Sequence, residues 1–190
     1  MTAFEFFISF FSLIMGLAAA TLAAGLAEAL RSRRAVKIGV LTPLLALFML
    51  MDISTFWAIG WVGMQDIQIN YATIYFGLAV SLPYFLAAAI AFPKDPAEWP
   101  SLDVYYDSHK RLPLMGVIFC NAVGVLFRIG LGDFDGFTPL QAVRLSAFFG
   151  ALIALILVRN RRVNIALLVL LCLINLAPAV APWTAAAGDA

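Results

Sequence analysis

The sequence predicts an all-α integral membrane protein: a bundle of six transmembrane helices with a short amphipathic interfacial helix between spans three and four. Three observations predict it. Hydrophobic residues make up 64% of the 190 residues and charged residues only 12%, against roughly 45–50% apolar and about 25% charged in soluble domains. The apolar residues are gathered into six runs, each near the about 20 residues that a helix needs to cross about 30 Å of hydrocarbon. Basic residues are confined almost entirely to alternate loops, as in a chain threaded back and forth through a bilayer. A soluble domain of this size could not cover so much apolar surface. A net charge of +1, with no separate basic domain, also excludes a nucleic-acid binder.

Span one covers residues 6–27, between Glu5 and Glu28, and holds nothing more polar than Ser9, Ser12 and Thr21. An acid stands where a signal peptide has its basic region, and the apolar run exceeds the 7–15 residues of a signal core, so this reads as a permanent helix. Gly16, Ala20 and Ala24 share one of its faces, a small-residue stripe of the kind that lets membrane helices approach closely. Glu28 lies three residues before Arg31, within reach of a local surface pair. Span two covers 38–61 and contains Asp52, and span three covers 71–92. Span four, 114–131, is the shortest, and span five, 139–158, repeats the small-residue pattern at Ser146, Gly150 and Ala154. Span six covers 163–183. These are continuous apolar runs rather than ten-residue alternations, which excludes a β-barrel and leaves a single helical domain over residues 1–190.

Ten of the twelve basic residues fall in three loops: Arg31, Arg33, Arg34 and Lys37; Lys94, Lys110 and Arg111; and Arg159, Arg161 and Arg162. The intervening loops carry only Asp66, Asp133 and Asp135. The positive-inside rule makes the basic loops cytoplasmic and places both termini on the outer, periplasmic face of an inner membrane. Trp57, Trp61 and Trp183 then fall at the outer ends of spans two and six, where an aromatic belt belongs.

The loop after span three has its own pattern. Pro93 and Pro96 stop the span, and Ser101 can cap a short helix with Asp103 in its first turn and Lys110 and Arg111 at its end. Leu102, Tyr105, Tyr106 and His109 recur on one face, with Trp99 just ahead, as expected of an amphipathic helix whose rings anchor it in the cytoplasmic membrane surface. The halves also carry a faint inverted echo. Thr42-Pro43-Leu44 in span two matches Thr138-Pro139-Leu140 in span five, and Pro83 answers Pro178. Proline in a first helical turn has its own local reason, because the N–H that it lacks is unpaired there anyway.

Ionisable side chains inside a bilayer cost about 2.5–3.5 kcal/mol each on insertion scales and so require a partner or a purpose. Asp52, Arg128 and Arg144 all fall in the outer halves of spans, with Asp52 about 14 Å below Trp61 by helix rise. The expectation is an Asp–Arg cluster, either a structural ion pair or a polar path that binds an ion or proton. Asn121, Gln141 and Asn175 extend that polar interior. No metal or cofactor site is expected. His109 is the only histidine, and Cys120 and Cys172 both fall inside spans, where thiols act as small apolar packing residues. No nucleophile elbow, metalloprotease or phosphate-loop motif occurs, so an enzyme is not expected. Two functions remain. One is a small channel or transporter for an ion, proton or small polar solute. The other is a non-catalytic accessory or scaffold subunit, its partners being membrane lipids and a homo-oligomer or larger membrane complex.

Overall fold

The computed structural model describes residues 2–63, 70–130 and 138–188. Asp66, Asp133 and Asp135 lie outside the described residues, as do the side chains of Pro178 and Trp183. Among the described residues every extended element is helical: α1 Ala3–Arg31, α2 Leu41–Gly63, α3 Tyr71–Ile90, α4 Leu102–His109, α5 Arg111–Gly130, α6 Pro139–Leu157 and α7 Arg161–Gly188. Five of them, α1, α2, α3, α5 and α6, are long and apolar enough to cross a membrane, as expected of an all-α membrane protein.

Helix termini follow capping chemistry. Thr2 and Thr138 open α1 and α6 with capping boxes closed by Glu5 and Gln141, and Asn70 caps α3 through Thr73. Gln141, expected in a polar interior, is therefore spent at an exposed helix start, its Oε1 accepting from the Thr138 N–H at 2.8 Å. The Thr-Pro-Leu echo has the same origin. Both copies sit in the first turn of a helix, where proline costs no hydrogen bond. Within the spans, the hydroxyls of Ser9, Thr21, Ser54 and Ser81 each donate to the carbonyl four residues back, which satisfies them without a tertiary partner.

The long helices pack as a closed ring in the order α1, α3, α5, α6, α7, α2 and back to α1, with α4 set across one end against α2 and α5. This order does not repeat between the halves. α1 packs extensively on α3, whereas the corresponding α5 packs on α3 and α6. Helices α3 and α5 approach closely. A Cβ on Gly116 would stand 2.8 Å from Ala87 Cβ and 3.3 Å from the Pro83 carbonyl, and the Cys120 thiol donates to the Val80 carbonyl at 3.0 Å. Tyr84, Phe48, Met49, Leu45, Leu114 and Leu152 are fully buried in the interior. The outside is apolar on every long helix, with Leu13, Leu47, Leu86, Leu126, Ile153 and Leu173 exposed, as suits a surface solvated by lipid chains.

The small-residue stripes do not make these contacts. Ala20, Ala24, Ser146 and Gly150 are exposed, Gly16 and Ala154 are half-buried, and a Cβ on Gly16 or Gly150 would meet nothing within 4 Å. Both stripes face outward, because the buried faces of α1 and α6 carry larger residues, Met15 and Leu22, and Phe148 and Leu155.

α4 differs most from its sequence-based reading. Its rings were expected to lie against lipid, yet Leu102, Tyr105 and Tyr106 are buried against the bundle. Trp99, Tyr105 and His109 form an aromatic cluster, with the Tyr105 and His109 rings stacked at 4.4 Å and Trp99 edge-on to both. The physical reason is that α4 ties together helix ends that would otherwise be left with unpaired backbone groups. Asp103 Oδ1 accepts from the Val40 and Leu41 N–H groups at the start of α2, at 3.0 and 2.9 Å. The Leu102 N–H donates to the Lys37 carbonyl, and the Thr42 hydroxyl donates to the Leu102 carbonyl. The Tyr105 hydroxyl reaches the Ile90 and Phe92 carbonyls at the end of α3, and Arg161 at the start of α7 pairs with Asp103 at 2.6 Å. Gly39, at φ +69°, makes room for this contact, since Asp103 occupies the space where a Cβ would stand. The segments bearing the basic residues are thereby gathered at one end of the bundle.

Candidate functional site

Asp52 is the twelfth residue of α2, about 16 Å along the helix from Leu41 and so near the middle of its 23 residues. It is 1% exposed. Three side chains from three other helices converge on its carboxylate. The Tyr84 hydroxyl of α3 donates to Oδ2 at 2.9 Å, Asn121 Nδ2 of α5 donates to Oδ2 at 3.0 Å, and Asn175 Nδ2 of α7 lies 3.5 Å from Oδ1. Asn121 also donates to the Val117 carbonyl at 3.0 Å, which fixes its amide in place. The Phe56 ring meets the Tyr84 ring edge-on at 5.8 Å and closes the site on its upper side along α2.

The arrangement brings Asp52, Asn121 and Asn175 together, as the sequence suggested, but not the arginines. The Arg144 guanidinium donates to the Ile174 carbonyl at 2.8 Å instead of pairing with Asp52. A planar fork on α6 reaches the facing backbone of α7 more directly than a carboxylate across the ring, and Ile174 precedes the Asn175 that does make the carboxylate contact. Arg128 lies in the last turn of α5, seven residues and about 10 Å beyond Asn121 along the helix. The donors to Asp52 are thus neutral. Tyr84 was missed in the sequence because tyrosine in an apolar run is usually packing; its only signal was a phenol at mid-span beside Pro83.

Tyr84 stands between two acceptors. Its oxygen is 2.9 Å from Asp52 Oδ2 and 3.0 Å from the Met49 carbonyl, one turn earlier on α2. A hydroxyl has one hydrogen, so it donates to one of them at a time. With the carboxylate charged, the phenol donates to Oδ2. With the acid protonated, the acid O–H can donate to the phenol oxygen while the phenol hydrogen turns to Met49. Either protonation state therefore leaves the buried groups satisfied.

A second polar cluster, also missed in the sequence, lies at the α4 end. Lys110, read in the sequence as a surface charge of the loop and of the end of its short helix, is 4% exposed. Its Nζ donates to the Val158 carbonyl at the C-terminus of α6 and to Asn164 Oδ1 at 3.3 Å, and stands 5.4 Å from the Tyr106 ring centre. A cation there satisfies the negative end of the α6 dipole. Burial holds the ammonium below its ordinary value, with Asp107 acting against the shift and Arg111 and Arg159 adding to it. No group of three or more histidine, cysteine, aspartate or glutamate side chains suited to a metal occurs among the described residues. The chain matches no protein-family model, no curated protein and no solved structure, so the chemistry of its sites follows from their geometry.

Proposed function

We propose that this protein is a small multi-pass membrane transporter or channel for protons, or for an ion or small polar solute coupled to them, with Asp52 as the proton-binding group. In this reading α7 is the sixth span, the α4 end faces the cytoplasm, and both termini face the periplasm across an inner membrane. One observation carries it: a buried carboxylate near the middle of α2, at the junction of four helices, whose donors among the described residues are all neutral and accommodate both its charged and its protonated forms. A purely structural acid is matched by a fixed cation beside it, and Arg144 bonds instead to the carbonyl of Ile174, the residue before Asn175. Intramembrane acids held this way serve as proton carriers in pumps and transporters. Helices α2, α3, α5 and α7 each contribute one group, so a change in ring packing would alter access to the carboxylate and its protonation together.

The second reading, an accessory subunit of a larger complex, is favoured by the outward small-residue stripes of α1 and α6, which suit a neighbouring helix. Reconstituted vesicles distinguish the two. Under an imposed proton gradient, vesicles holding the wild-type protein should acidify or move solute faster than empty ones, and Asp52→Asn, which keeps the size of the side chain and one acceptor oxygen for Tyr84 and Asn121, should abolish that flux while the protein still folds and assembles. Absence of wild-type flux, or an Asp52→Asn protein that transports normally, removes the transport reading.

A further inference from the structure

The end of the bundle where α4 sits contains a cavity of about 450 Å³ lined by Asp107, Ser108, Lys110, Arg111, Ile156 and Arg159. Three of the six carry positive charge and one carries negative charge, a balance unlike that of a chain whose whole net charge is +1. The three cations have different freedoms. Lys110 is buried and tied to Val158 and Asn164, so its charge is fixed at the cavity wall. Asn164 is itself fully buried and donates to the same Val158 carbonyl at 3.3 Å, bracing that position. Arg111 and Arg159 are exposed and stand at the start of α5 and just past the end of α6.

We propose that this cavity binds a phosphate group, held between the fixed Lys110 ammonium and the Arg111 and Arg159 guanidinium forks. Paired N–H donors on a planar guanidinium match two oxygens of a phosphate, and lysine acts beside them as a point charge. Three cations against the single Asp107 leave two positive charges, which a phosphate dianion or a diphosphorylated headgroup would neutralise. Position supports the same chemistry. The cavity lies where α5 begins and α6 ends, which the orientation proposed above puts at the cytoplasmic headgroup level, and basic pockets between membrane helices on that side bind such groups. The alternative for these residues is that they serve only as topological charges. In that case any basic residue at this end would do equally well.

Native mass spectrometry of the full chain, delipidated in detergent, tests this with two probes: inorganic phosphate, and phosphatidylglycerol or cardiolipin compared with phosphatidylcholine. The wild-type protein should hold phosphate adducts, anionic-lipid adducts or both, above phosphatidylcholine. Arg111→Gln combined with Arg159→Gln should weaken them about tenfold, and Arg34→Gln, an exposed basic residue at the same end but outside the cavity, should leave them unchanged. Retention of the lipid alone identifies a headgroup site, and retention of phosphate identifies a soluble phosphate compound; both support the site. Binding no stronger than that of phosphatidylcholine, or an equal loss in Arg34→Gln, overturns it. Should the double variant melt well below the wild type, Arg159→Gln alone is read against the same outcomes. None of these readouts depends on flux, so the site stands or falls separately from Asp52.

Discussion

The Tyr84 hydroxyl shows how one hydrogen can link a buried acid to its surroundings. It shares its proton between Asp52 Oδ2 and the Met49 carbonyl, and removing it leaves the acid with its asparagine donors but without the acceptor for its own proton. Tyr84→Phe should therefore lower flux in vesicles severalfold, less completely than Asp52→Asn, and cost about 1 kcal/mol of stability in a detergent melt. A variant with wild-type flux would show that the relay plays no part in transport. Tyr106 is the opposite case. Its hydroxyl is buried without a hydrogen-bond partner among the described residues, while its ring lies beneath the Lys110 ammonium. Tyr106→Phe keeps the ring and removes the unpaired polar atom, whose burial costs about 1–3 kcal/mol. Its melting temperature should match or exceed that of the wild type, and a clear drop would mean that the hydroxyl is paired.

α4 does at the scale of an element what no single span does: it satisfies the ends of several others. Asp103 is its main tie, capping α2 through Val40 and Leu41 and pairing with Arg161. Asp103→Ala loses both the cap and the pair and should cost about 1–2 kcal/mol. Asp103→Asn keeps an acceptor for the cap and loses only a partly exposed pair, so it should cost less than about 1 kcal/mol. Equal losses in the two variants would assign the stabilisation to the charge rather than to the cap. The same element shows what its spacing left open in the reading of an interfacial helix. Heptad-like spacing marks a buried face but does not say whether lipid or protein covers it, and here Leu102, Tyr105 and Tyr106 cover helix ends.

The whole molecule is a ring of helices with a polar junction near its middle and a charged clamp at one end. Lys110 couples the clamp to pH. Its folded-state pKa lies below the ordinary 10.5, so between its folded value and 10.5 the unfolded chain holds a proton that the folded chain has released. Stability from this group therefore rises as pH climbs through that window, because the cost of burying the ammonium disappears. Melting followed as pH is raised toward 10.5 should show a rise in the wild-type protein, relative to the global trend, that Lys110→Met lacks. Parallel curves would mean that Lys110 is not desolvated in the folded protein.

Apolar runs, the Ser101 cap and the sorting of ten basic residues into three loops were legible in the sequence, because each is decided by groups within a few residues of one another or by the bilayer as solvent. Asp52, Asn121 and Asn175 stood out for the same reason, since polar groups are costly in hydrocarbon wherever the chain leads. Their partners were not legible. Arg144 bonding Ile174, Tyr84 bridging Asp52 and Met49, and Lys110 reaching Val158 join residues 30 to 48 positions apart in sequence. Such pairings depend on which helix faces meet. The ring order decides that, through close approaches such as Ala87 against Gly116, and the outward-facing stripes of α1 and α6 show that small residues alone do not predict it. The sequence by itself determined which groups cannot be left unpaired; only the tertiary structure decided what pairs with them, because the distances between facing helices are set by packing and not by spacing along the chain.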